Sequence, residues 1–83
     1  MFEPEKIDAL LRDQINVSHL DIVDLTGTRD HYSVLIVSAD FDGSLPLAQH
    51  RKVNAALADQ LASGEIHALQ LKTLTPTEWE KSK

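Results

Sequence analysis

Ile66-His67-Ala68-Leu69-Gln70-Leu71-Lys72-Thr73-Leu74-Thr75-Pro76-Thr77-Glu78-Trp79 sets one imidazole at the head of a short strand and then ends that strand with a complete helix-start signal. Thr75 is a helix N-cap and Pro76 fits the first helical position. Glu78 lies where its carboxylate reaches back to the cap's own N–H. Leu74 and Trp79 fall at the two positions of a hydrophobic staple. Within the strand, from Ile66 to Thr73, alternation puts His67, Leu69, Leu71 and Thr73 on one face and Ile66, Ala68, Gln70 and Lys72 on the other.

Upstream of this stretch, Gly64 is a natural left-handed residue after a helix ending near Ser63. That helix, the longest expected, starts at Ser44 or Leu45 followed by Pro46 and covers residues near 46 to 62. Its apolar stripe is Leu47, Val53, Leu57 and Leu61, with several alanines supplying helix propensity. Agreement between this stripe and the strand's alternation predicts that Val53, Leu57, Leu61, Leu69 and Leu71 are mostly buried. Asp40-Phe41-Asp42-Gly43-Ser44 breaks the chain before the helix.

Further toward the N-terminus, Val17 to Leu25 and Tyr32 to Val37 are rich in β-branched and aliphatic residues. Between them Thr26-Gly27-Thr28-Arg29-Asp30 reads as a hairpin loop. Pro4 suits a first helical turn, and Ile7, Leu10, Leu11 and Ile15 recur at helical spacing after it. The order is helix, strand, strand, helix, strand, short helix (α-β-β-α-β(-α)). Two helices laid on one face of a three-stranded sheet would bury both apolar stripes in a two-layer α+β domain. No repeat, linker or low-complexity tract divides the chain, so residues 1–83 read as a single domain.

The 83 residues allow only a small core, and the absence of cysteine removes disulfides and thiolate metal sites alike. No run approaches the length of a membrane span. Met1-Phe2-Glu3-Pro4-Glu5 lacks the basic-then-apolar order of a signal peptide. A cytoplasmic protein with no membrane association is the expectation. The formal charge of −5 argues against a surface devoted to phosphate backbones. No nucleophile elbow, cysteine nucleophile or glycine-rich phosphate loop is present, and the chain does not read as an enzyme.

In the I-H-A-L strand followed by T-x-TP-x-EW, with Phe41-Asp42-Gly43 and His50-Arg51 upstream in the same order, the sequence resembles the BolA family. The resemblance implies a fold like the type II K-homology domain, with a mixed sheet. It also implies a monothiol glutaredoxin as partner in a heterodimer and a shared [2Fe-2S] cluster. The glutaredoxin would supply its own cysteine and a glutathione thiolate; the chain alone is expected to hold no cofactor. A role in iron–sulfur cluster delivery or iron homeostasis follows from the resemblance. The alternative it offers is a DNA-binding transcriptional regulator, although the G-x-x-G clamp of K-homology domains is missing.

The chain has four histidines, His19, His31, His50 and His67, its only strong transition-metal ligands. From the residues alone, His67 reads as a partly buried, hydrogen-bonded polar residue at a strand edge. The resemblance instead makes it the cluster ligand, and imidazole does replace thiolate on one iron of some [2Fe-2S] centres. The family's second ligand is a histidine or cysteine in the loop between the first two strands. Here the residue of that type is His31, at the loop's end; its pairing with Tyr32 equally fits a structural role. His50-Arg51-Lys52-Val53 resembles the family's R-H-R-x-V with Gln49 in place of the first arginine. The segment is either an ordinary helix face, with Arg51 and Lys52 in water, or a basic patch for a partner or DNA, to which Lys72 would add. His19 has no motif beside it and is assigned no role.

Overall fold

Pro4 opens the first helix with its fixed φ and missing N–H, as the pattern predicted, and the chain then alternates as expected through the 2–82 range that the computed structural model describes. The elements are α1 (Pro4–Gln14), β1 (Val17–Asp24), β2 (His31–Ser38), a 3-10 turn (Ala39–Phe41), α2 (Pro46–Ala56), α3 (Ala58–Ser63), β3 (Ala68–Leu74) and α4 (Pro76–Ser82). The sheet order is β1-β2-β3, with β2 antiparallel to β1 and parallel to β3. It is the mixed three-stranded sheet of an α+β fold.

Tyr32, Val34 and Ile36 of β2 are fully buried, and they pack with Ile7 and Leu11 of α1, Val53 of α2, and Leu57 and Phe41. Burying each such side chain contributes about 1.5–3 kcal/mol. Leu20 and Ile22 of β1 and Leu69 and Leu71 of β3 flank this row in register and are partly buried against it. Thus α1 and α2 cover one face of the sheet. On the other face Val37 is also fully buried, outside the main core cluster. Its register partner His19 stacks on Trp79 of α4, ring centroids 4.5 Å apart. The short last helix therefore caps one end of the second face, leaving Val23 exposed toward the other end.

The capping box that ends β3 forms from both sides. Glu78 N–H donates to Thr75 Oγ1 at 3.2 Å, and Thr75 N–H donates to the Glu78 carboxylate at 2.9 Å. Gly64 ends α3 in the left-handed region at φ +84°, where a side chain is costly.

Two expectations are corrected. The long helix is broken at Leu57 (φ −112°, ψ 17°), whose N–H donates to Asn54 O three residues back, tightening the turn between α2 and α3. Leu47 does not belong to the buried stripe and is 63% exposed. The stripe runs instead Gln49, Val53, Leu57, and Leu47 lies about 200° around the helix from Gln49 at 3.6 residues per turn. A polar residue in the apolar row concealed the true phase. Gln49 is buried with its amide satisfied: Nε2 donates to Phe41 O at 3.1 Å and Ser44 O at 2.9 Å, and Oε1 accepts from Thr73 Oγ1 at 2.7 Å. It ties the start of α2 to the Phe41–Ser44 loop and to the end of β3. Of the other expected core residues, Val53 and Leu57 are fully buried and Leu61, Leu69 and Leu71 partly so.

Candidate metal centre

Parallel pairing of β2 with β3 brings the starts of both strands to the same rim of the sheet, with His31 in register with Ala68. The loop before β2 is shaped by Asp24, whose carboxylate accepts the N–H groups of Thr26 (3.3 Å), Gly27 (3.0 Å) and Arg29 (3.1 Å). Gly27 and Arg29 both take positive φ, 77° and 60°, so the loop turns sharply and delivers Asp30 to the rim. Phe2 N–H donates to Arg29 O at 2.9 Å, and the buried Tyr32 hydroxyl donates to Phe2 O. These contacts fasten the chain's start beneath the loop.

Asp30 joins the two strands. Its carbonyl oxygen accepts the N–H groups of His67 (2.7 Å) and Ala68 (3.2 Å). Two successive amides on one carbonyl interrupt the pleat, so β3 begins at Ala68 and His67 precedes it. The alternation expected from Ile66 therefore does not extend that far: Ile66 is buried and His67 exposed. From Ala68 onward the expected faces are observed, with Leu69, Leu71 and Thr73 inward and Gln70 and Lys72 outward.

On the side-chain level, His31 Nδ1 is hydrogen-bonded to Asp30 Oδ1 at 2.8 Å, and His67 Nδ1 stands 3.2 Å from Oδ2. The two imidazoles meet edge to face, ring centroids 5.7 Å apart and planes at 89°. The His67 side chain is 59% exposed and that of His31 38%, whereas Asp30 is 19% exposed beneath them. A hydrogen bond from the Thr28 hydroxyl, seconded by that from His31, holds the Asp30 carboxyl below its ordinary pKa. One donor atom from each of Asp30, His31 and His67 lies within 4.8 Å of the others, a grouping able to hold a metal ion.

The structure thus brings His31 and His67 together and adds Asp30, which the sequence pattern places in the hairpin loop. An aspartate directly before a histidine at a strand start is the signal that was there to be read. The basic residues are not gathered in the same way. Arg51 and Lys52 are exposed on α2, over one face of the sheet, while Lys72 points out from the opposite face. His50 is half-buried beside them on α2, and Gln49, at the position of the missing arginine, is interior. His19 bonds through Nε2 to Asp21 at 2.8 Å and packs on Trp79, remote from the cluster along the strands.

Fold and site define a small α+β domain that presents side-chain donors at the rim of a mixed sheet. The chain belongs to the BolA family: the sequence model of BolA-like proteins matches residues 5–78. BolA-like protein 2 of Mus musculus is 40% identical over 75 residues, 88% of this chain and 85% of that protein. The crystal structure of a bol-like protein from Babesia bovis superposes with a TM-score of 0.87 at 32% identity, covering 99% of this chain and 94% of the other. A protein of Vibrio cholerae named DNA-binding transcriptional regulator BolA is 47% identical over 55 residues, 66% of this chain and 51% of its own length.

Proposed function

We propose that this BolA-like chain is an accessory protein of iron–sulfur metabolism that binds a monothiol glutaredoxin and shares a [2Fe-2S] cluster with it, for delivery of the cluster or for iron homeostasis. The observation that carries the reading is the convergence of His31 and His67 at an exposed rim. The donor set fits. A [2Fe-2S] centre takes four ligands, and centres with two histidines on one iron and two cysteines on the other exist, at raised potential. His31 and His67 would supply the imidazoles. The partner would supply its cysteine and a glutathione thiolate, since this chain has no cysteine.

Co-expression with a monothiol glutaredoxin tests the reading. The expected result is a coloured heterodimer, a colourless chain when purified alone, and altered absorption and cluster stability in His67→Ala and His31→Ala. Circular dichroism of each variant separates loss of a ligand from loss of fold. Wild-type cluster spectra in a well-folded His67→Ala complex would overturn the proposal at its central residue.

A second reading, a DNA-binding regulator, is favoured by the name of the Vibrio cholerae relative. Against it stand the charge of −5 and the separation of Arg51 and Lys52 from Lys72 across the sheet. Any DNA binding is expected to be weak, without sequence preference, and abolished by salt. A tight, sequence-selective complex at physiological ionic strength would promote it.

A further inference from the structure

A neutral imidazole carries one N–H and one lone pair, and the nitrogen left to bind a metal is the one that does not donate. The hydrogen bond made by the other nitrogen settles which that is. In this chain both candidate ligands turn the same atom, Nδ1, to the same carboxylate, but to different oxygens of it: His31 is hydrogen-bonded to Oδ1 at 2.8 Å, and His67 Nδ1 lies within ion-pairing distance of Oδ2 at 3.2 Å. We propose that Asp30 is the positioning residue of the site, taking one imidazole on each carboxylate oxygen so that both rings are held as Nδ1–H tautomers with Nε2 as the donor atom. The proposal rests on the cluster-sharing reading for its biological purpose, but not for its geometry.

Asp30 is well placed for this because it is itself fixed from several sides. Its carbonyl oxygen holds the His67 and Ala68 amides. Its Oδ1 also accepts the Thr28 hydroxyl, and Thr28 lies in the loop shaped by Asp24. The carboxylate is mostly covered while the rings above it are open, which is the arrangement of a supporting group rather than of the first group a ligand meets. A carboxylate behind an imidazole also raises its basicity as a ligand. The two histidines then act as a unit, because one group orients both.

The chemistry of asparagine makes a sharp test, for its side chain has a single acceptor oxygen and an amide that donates. The tautomers are read in the isolated chain, labelled with nitrogen-15 at histidine, from long-range proton–nitrogen couplings at a pH raised until the histidine nitrogen shifts no longer change. His31 and His67 are expected as Nδ1–H. His19 provides an internal reference of opposite sign, since its Nε2 faces Asp21 at 2.8 Å. In Asp30→Asn at least one of the two rim histidines is expected to lose its single tautomer, with His19 unchanged. In the glutaredoxin complex the same variant is expected to lose its cluster to a chelator about 10–100-fold faster.

Rim histidines that are Nε2–H or mixed in the wild-type chain would overturn the proposal without recourse to any variant. So would tautomers indifferent to Asp30→Asn, or Nδ1 found bound to iron in the complex, which would make Asp30 a competing ligand instead. If His67→Ala leaves the cluster spectra unchanged, the cluster reading falls while a positive tautomer result stands. If His67→Ala alters those spectra and the tautomers are mixed, the role of Asp30 alone is refuted.

Discussion

His31 and His67 stand edge to face, 5.7 Å between ring centroids, although one opens β2 and the other precedes β3. Groups that share one ligand site are not expected to contribute independently. In the glutaredoxin complex, the half-life of the cluster absorption should fall in each single alanine variant. The double variant should be little worse than the poorer single one. Strictly multiplicative losses would mean that the two rings serve separate purposes.

The two leucines that the apolar pattern treated alike should behave very differently. Leu57 is fully buried at the break between α2 and α3, and Leu57→Ala should cost about 2–5 kcal/mol. Leu47 is exposed, and Leu47→Ala should change stability by no more than about 0.5 kcal/mol. Urea midpoints of both variants check the corrected phase of the helix.

Trp79 is the chain's one tryptophan, which makes its fluorescence a report on α4 alone. Thr75→Ala removes the side-chain half of the capping box and should cost about 1 kcal/mol, shifting emission to the red as α4 loosens from His19. Thr75→Ser should keep the wild-type emission. His19→Ala should shift emission without weakening the cap.

Burial pushes the Tyr32 phenol above its ordinary pKa. A folded-state value above the unfolded one contributes stability that is present below the unfolded pKa, about 10, and is lost as pH rises through the folded value. The urea midpoint of the wild-type chain should therefore fall more steeply above pH about 10 than that of Tyr32→Phe, which cannot ionise there. Parallel curves would show that Tyr32 does not govern the alkaline limit.

Local signals were the legible part of this molecule. The capping box at Thr75, the left-handed Gly64 and the prolines opening α1 and α2 are set by a few neighbouring residues, and the chain obeys them. What was hidden depended on partners far away in sequence. Gln49 is interior because Phe41, Ser44 and Thr73 satisfy its amide, and no periodicity announces that. At the rim, His31 and His67 could be named from motifs. That Asp30 stands directly before His31 is visible in the chain, but its reach to His67 is not, because that arises from the parallel register that sets the hairpin loop against the start of β3.

The amide of His67 is closed onto Asp30 O before β3 formally begins, so the imidazole rides on the outermost rung of an edge strand. Strand ends open by local fraying at a small fraction of the global unfolding free energy. Each such opening releases the ring together with its amide. Occupancy of the rim and protection of the His67 N–H from hydrogen exchange are therefore two readings of one local equilibrium, and whatever binds across both imidazoles will slow exchange there first.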